Sequence, residues 1–236
     1  MVDKNATRLK PLLVTACRIL DNEKITDELG HISVRVPGTD KVFINGRVSP
    51  GQVTLQDITT VDLNGKHLHG RQKAPGEMHL HLSIYKKRQE VCAVAHTHSP
   101  MVVILSTLGI KLRPTCHAAA MAFSEELPMY EKYGMISSES LGDEVADLLG
   151  GAPAIMLKGH GIIVVGSSLQ ECCIRAFYIE KAAGIQYNAL VIGEPDVMPP
   201  QPPGEFDKAR AGAIERSWNY FQWKIRRKNV SSGTAR

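Results

Sequence analysis

Long apolar runs are missing from this sequence of 236 residues. The longest span five or six residues, as in 101–105 (MVVIL), where a membrane-crossing helix needs roughly 18–20. The opening stretch MVDKNATRLKPLLV has neither an extended apolar segment nor a small-residue cleavage site, so no secretory signal is expected. Charge of one sign is not in large excess: 28 Lys+Arg against 24 Asp+Glu leave a formal +4. The one dense basic cluster, Lys224, Arg226, Arg227 and Lys228, is too small for a nucleic-acid stripe and reads as a solvated tail. Neither nucleic acid nor a membrane is therefore expected as a partner. Cysteine is scarce. Cys17, Cys92, Cys116, Cys172 and Cys173 are odd in number, follow no metal spacing and include an adjacent pair, which reads as free thiols in a reducing cytoplasm. Aromatic residues are only 6%, yet Trp218, Tyr220, Phe221 and Trp223 crowd one C-terminal segment.

What is present suits a folded chain. Hydrophobic residues at 43% with 22% charged exclude a mostly disordered protein. At roughly 150 residues per domain, the length suits one large domain or two small ones. Apolar residues at helical spacing (Leu9, Leu12, Leu13, Ala16, Ile19, Leu20) predict a helix over 7–30. Ile32, Val34 and Val36 alternate with polar neighbours and predict a strand, returning through Val42–Ile44 after a Pro-Gly turn. Asn64-Gly65 marks a hairpin within 58–68. Helices follow over 77–88, after Ser99-Pro100 as cap and first turn, over 139–150, and over 168–189. Buried strands are expected at 91–97, 154–157 and 162–165. Residues 199–204 (PPQPPG) read as a loop, and 205–228 as a last helix. The interleaving lacks a strict βαβ rhythm, so the expectation is one α/β domain with a central, mainly antiparallel sheet.

The chemistry lies in the histidines. His96 and His98 end a predicted strand, and residues i and i+2 of a strand project from one face, so both rings can reach one point. His160, between Gly159 and Gly161 in a tight turn, is the candidate third ligand. Three imidazoles with an open position match a catalytic metal site, since structural sites are closed. Glu77, at a helix start after Pro75-Gly76, can either ligate the ion or move a proton beside it. Each signal is weak alone. A His-x-His pair occurs by chance on surface strands, and a glutamate at a helix N-terminus is commonly a solvated partner of the dipole. His79 and His81 lie about 200° apart on a helix, cannot share an ion, and read as packing or capping residues. His67 and His69 flank the hairpin and read as exposed; for His117 a pocket role stays open.

Three segments taken together resemble the class II aldolase/adducin family: EMHLHLSIY from Glu77, AHTHSP from Ala95, and LKGHG from Leu157. Their order and separations agree, and the resemblance runs from about residue 8 to about residue 195. It implies an α/β/α sandwich with a mainly antiparallel sheet over 1–195. Residues 196–236 are left as a Pro-rich loop and a helix packed on the same domain or a neighbouring subunit. It also implies that His96, His98 and His160 hold one divalent cation per subunit (manganese or zinc), that Glu77 is the catalytic acid/base, and that the enzyme is a homotetramer with sites at subunit boundaries.

The departures from the family pattern bear on the substrate. Sugar-phosphate aldolases of the family carry a Ser-Ser pair before the glutamate, which binds phosphate; Pro75 and Gly76 stand there and offer no hydroxyl. The family's Gly-Asn-x-Ser turn reads Gly30-His31-Ile32-Ser33, and a loop usually rich in small hydroxyl residues reads Ile44-Asn45-Gly46-Arg47-Val48-Ser49. The guanidinium of Arg47 suits a carboxylate, and His31 can donate to an anion. His31, Arg47, Ser49, Pro75 and Gly76 are thus the expected substrate contacts, with a desolvated Arg47–carboxylate pair worth ~2–5 kcal/mol. The chain is most similar to the family's metal-dependent decarboxylases of ortho-hydroxylated pyridine or benzene dicarboxylates. A class II aldolase acting on a hydroxyketo compound is the alternative, and a non-catalytic adducin-like domain the third reading. The C-terminal aromatics, and Tyr130 and Tyr133, are candidates either for packing or for covering an aromatic substrate.

Overall fold

The computed structural model describes residues 4–199 and 205–233. Helix α1 (Lys4–Asn22) leads into strand β1 (His31–Arg35), which turns back as β2 (Lys41–Asn45). After two short 3-10 turns come β3 (Ile58–Asp62) and β4 (His67–His69), then α2 (Met78–Lys87), β5 (Ala93–Thr97) and α3 (Pro100–Thr107). Short elements α4 (His117–Ala120) and β6 (Met129–Tyr130) precede α5 (Glu139–Leu149), β7 (Ala154–Leu157), β8 (Gly161–Gly166), α6 (Leu169–Ile192) and α7 (Glu205–Gly233). The eight strands form one sheet in the order β4-β3-β2-β1-β5-β8-β7-β6. All neighbours are antiparallel except β6 and β7.

Strand alternation divides the apolar side chains between two cores. Ile32, Val34, Ala93, Ala95, Ile162 and Val164 face α1, α3, α6 and α7. Val94, Ile163 and Val165 face α2 and α5 on the other side. β5 and β8 are buried on both faces, which is why they read as continuous apolar runs. The result is the expected α/β/α sandwich.

One local expectation fails and another holds only in part, each for a physical reason. The first helix stops at Asn22, eight residues short of residue 30, because Lys24 adopts a left-handed φ of 57° and breaks the hydrogen-bond ladder. Ser99 is the N-cap of α3 and Pro100 its first residue, as expected, but the Ser99 side chain makes no capping bond. Its hydroxyl donates to Ile25 O at 3.0 Å, and the Glu180 carboxylate from α6 accepts the Met101 N–H at 2.9 Å instead. The expected Pro-rich loop lies, beyond Pro199, outside the described residues. α7 packs on its own chain: Trp218 and Phe221 are buried in the α1/α6 core, and Lys224 pairs with Glu23 at 2.7 Å. Tyr220 and Trp223 stay about half exposed.

Topology sets where the chemistry gathers. β1 runs antiparallel to β5, with His31 opposite His96, and β5 runs antiparallel to β8, with Thr97 opposite Ile162. The start of β1, the end of β5 and the turn entering β8 therefore meet at one end of the sheet.

Candidate metal centre

At that sheet end the three predicted ligands converge. Ring centroids of His96, His98 and His160 lie 4.8–5.0 Å apart, and each residue brings one ligating atom within 4.8 Å of the others. His160 reaches the site because of its glycines. Gly159 holds a left-handed φ of 63°, and a Cβ at Gly161 would sit 2.3 Å from Thr97 O.

Each strand-end ring is oriented through its Nδ1. That of His96 is 3.2 Å from Ile162 O and that of His98 is 2.8 Å from the Asp27 carboxylate. This leaves both Nε2 atoms buried and without a hydrogen-bond partner among the described residues. Such orphans are uncommon in folded proteins, and two of them aimed at one point with a third imidazole fit a divalent cation. His31, His96 and His160 are also biased toward the neutral form. Burial, reinforced by the neighbouring imidazoles, pushes His96 and His31 well below the ordinary histidine range. Burial lowers His160 too, against the opposing pull of Glu77. Neutral rings are the ones that can ligate.

Glu77 immediately precedes α2 and is buried. Its Oε1 accepts the Ile136 N–H at 2.7 Å, while Oε2 lies 3.7 Å from His96 Nε2 and 3.6 Å from His160 Nε2. Those separations are too long for hydrogen bonds, so Oε2 faces the centre uncommitted. A cavity of about 430 Å³ opens from this point. His31, Arg47, Ser49, Pro75 and Gly76 all line it, so the structure brings every predicted substrate contact to one space. Arg47 is at the exposed rim, its Nε donating to Ala74 O at 3.1 Å, so the expected desolvation does not hold before a ligand binds.

The remaining candidates lie away from the centre, His67 and His69 exposed as expected and Tyr130 in the packing role of its two readings. Tyr130 is buried in the α2/α5 core with its hydroxyl on Glu144 and does not cover the cavity. Tyr133 is 70% exposed. His67, His69 and His117 are exposed and none lines the cavity. His81 is no simple packing residue: its Nε2 is 2.7 Å from His31 Nδ1. It lies four positions after Glu77, on the same helix face, a spacing that could have flagged it. Asp27 carried no sequence signal, because it sits in the coil after α1 and meets His98 across 71 positions.

Residues 12–187 match the Class II Aldolase and Adducin N-terminal domain. The chain belongs to the class II aldolase and adducin family. Within this family it is 28% identical over 196 residues to a 3,4-dihydroxyphthalate decarboxylase of Arthrobacter keyseri, covering 77% of this chain and 78% of the relative. It is 30% identical over 175 residues to an L-fuculose phosphate aldolase of Methanococcus maripaludis, covering 74% and 93%. An aldolase II superfamily protein from Pseudomonas syringae shares the class II aldolase fold with a TM-score of 0.79 at 22% identity, covering 96% of this chain and 95% of that one. Family members among these relatives are lyases, and both decarboxylases and aldolases occur. No helix among the described residues is long and apolar enough to cross a membrane.

Two measurements probe this candidate metal centre directly. Asp27→Asn is expected to weaken divalent-metal affinity by roughly 10- to 100-fold, as loss of a ligand-orienting carboxylate does. Competition titration against a chromophoric chelator reads this, and unchanged affinity would remove Asp27 from the centre. The second concerns acid. Burial, with His96 nearby, pushes His81 down to about 3 from 6.5, and His31 and His96 are lowered as well. These rings stay neutral in the fold while the unfolded chain takes up protons near its ordinary pKa. Stability is therefore full above that value and falls as pH drops from 6.5 toward 3. Each ring held neutral in the fold adds to that loss. Urea unfolding of metal-free protein at about pH 7 and about pH 5 checks the slope; a flat profile would contradict the buried neutral cluster.

Proposed function

We propose that this lyase is a metal-dependent decarboxylase of an ortho-hydroxylated aromatic or pyridine dicarboxylate. The observation that carries the reading is the cavity wall. Pro75 and Gly76 bring no hydroxyl to the position beside Glu77, while His31 and Arg47 face the same space. An imidazole and a planar guanidinium suit a carboxylate better than they replace a phosphate-binding hydroxyl pair. Similarity to 3,4-dihydroxyphthalate decarboxylases supports the same direction.

In this reading His96, His98 and His160 hold one divalent cation, manganese or zinc. When bound, the cation supplies a Lewis acid for the electron pair released as the carbon–carbon bond breaks. Glu77 carries the proton at Oε2, because Oε1 is committed to the Ile136 N–H. Glu77 takes the ring hydroxyl proton onto Oε2 and returns it to the ring carbon bearing the carboxylate, and the ring oxygen regains a proton from solvent once CO₂ has left. The bond to the carboxylate carbon then breaks, CO₂ departs, and the electron pair restores the aromatic ring. His31 and Arg47 hold the second carboxylate in place, and Ser49 lines the wall beside them.

The enzyme is proposed to be a cytoplasmic homotetramer. Five free cysteines suit a reducing compartment. Leu29 and Met135, 65% and 63% exposed at the cavity mouth, support a neighbouring subunit covering it, with the half-exposed Tyr220 and Trp223 as candidate lid residues.

The test is CO₂ release from a panel of hydroxylated benzene and pyridine dicarboxylates by protein loaded with manganese or zinc. Arg47→Ala is expected to raise KM by roughly ten- to hundredfold, the value of a charge-assisted hydrogen bond of about 1.5–3 kcal/mol. Unchanged kinetics would remove Arg47 from the site. Cleavage of a hydroxyketo compound without CO₂ release from any dicarboxylate would favour the aldolase reading, which similarity to L-fuculose phosphate aldolase supports.

A further inference from the structure

A buried hydrogen-bond chain runs inward from the cavity and fixes the polarity of one of its walls. His31 Nδ1 lies 2.7 Å from His81 Nε2, His81 Nδ1 lies 2.7 Å from Ser33 Oγ, and Ser33 Oγ lies 2.8 Å from the Tyr85 hydroxyl. Ser33, His81 and Tyr85 are at most 1% exposed. A 2.7 Å contact between ring nitrogens needs one N–H and one lone pair, so the chain must run in one direction.

Only one direction satisfies every buried hydrogen at short range. Tyr85 donates to Ser33, Ser33 donates to His81 Nδ1, and His81 donates through Nε2–H to His31 Nδ1. Any reversed arrangement leaves one buried hydroxyl with only a carbonyl at 3.5 Å, that of Val94 or Cys92. Buried hydroxyls rarely accept such a loss. A chain polarised one way also strengthens each of its members.

We infer that the Tyr85–Ser33–His81 chain locks His31 as the Nε2–H tautomer, so that His31 presents a hydrogen-bond donor, not a metal-ligating lone pair, to the cavity. His31, Glu77 and His96 are close enough to form a second candidate metal group. The locked tautomer removes His31 from that group and leaves the cation to His96, His98 and His160. It also selects the ligand: the N–H at that wall donates to an oxygen acceptor, for which an anionic oxygen such as a carboxylate or phenolate is the best fit. His81, with Ser33 and Tyr85 behind it, is a positioning residue that acts through His31. This deepens the decarboxylase reading and rests on it for the identity of the oxygen, but not for the tautomer.

Long-range proton–nitrogen NMR of the full-length protein labelled with ¹⁵N-histidine tests it, with and without Zn²⁺. His31 is expected to show a bare Nδ1 and a protonated Nε2, unchanged by Zn²⁺. A protonated Nδ1 in His31, or a Zn²⁺-induced shift marking ligation at its Nε2, would overturn the inference. Ser33→Ala removes the donor that sets the direction while leaving both rings, and is expected to turn the His31 signals into a tautomer mixture with zinc content unchanged. In the decarboxylation assay the same variant is expected to raise KM roughly tenfold with a smaller change in kcat. An unaltered His31 signal in Ser33→Ala would show that the chain does not set the tautomer. Failure of every dicarboxylate to react would sink the decarboxylase reading alone, because the ring signals are read without substrate.

Discussion

Glu77→Gln is expected to lower kcat for carbon–carbon cleavage by roughly 10²- to 10⁴-fold, the usual worth of a positioned acid/base. The substitution is chosen for its geometry. The amide oxygen of Gln keeps the 2.7 Å bond to the Ile136 N–H, so the segment ahead of α5 stays anchored. What is lost is the titratable oxygen that stands 3.6–3.7 Å from two imidazoles without a hydrogen bond to either. Stopped-flow or CO₂-coupled kinetics supply kcat, and elemental analysis of the same sample supplies metal content. A full metal complement with lost turnover assigns Glu77 to proton movement. Parallel loss of metal instead assigns it a ligand role in the resting enzyme. Wild-type kcat in Glu77→Gln would sink the mechanism.

The second large effect belongs to the ligands. His98→Ala is expected to bring bound metal from about one ion per chain to near none after dialysis, and turnover to background, because catalytic sites of this kind hold the ion through three protein ligands and this removes one of them. His98 suits the experiment better than His96. Its side chain is 18% exposed at the cavity, whereas that of His96 is fully enclosed and its removal would leave a void in the core. Circular dichroism then verifies folding independently. Retention of a tightly held ion in His98→Ala would mean that the cation is held elsewhere, with the group formed by His31, Glu77 and His96 as the alternative.

Much of the fold was legible residue by residue. Alternation at Ile32, Val34 and Val36, the double-faced run at 162–165, and Asn64-Gly65 each report a local preference of the backbone, and each became the expected element. The convergence of the three candidate ligands was legible for a related reason. His96 and His98 are two residues apart at a strand end, and His160 stands in a turn whose glycines announce its conformation. Boundaries set by distant partners were not legible. α1 ends where Lys24 turns left-handed, and α3 is capped by Glu180, 79 positions away from the Met101 N–H it accepts.

The sequence by itself determined which residues could ligate, which could carry a proton, and that no hydroxyl pair stands ahead of Glu77. Only the tertiary structure decided that these groups meet. Antiparallel pairing sets the start of β1 beside the end of β5 and the end of β5 beside the start of β8, so residues 31, 96 and 160 share one sheet end. Tertiary structure also chose Asp27 to orient His98 and His81 to orient His31. The reason is physical: periodicity and turn chemistry act within a few residues, while the hydrogen bond that aims a buried ring goes to whichever group long-range packing places against it.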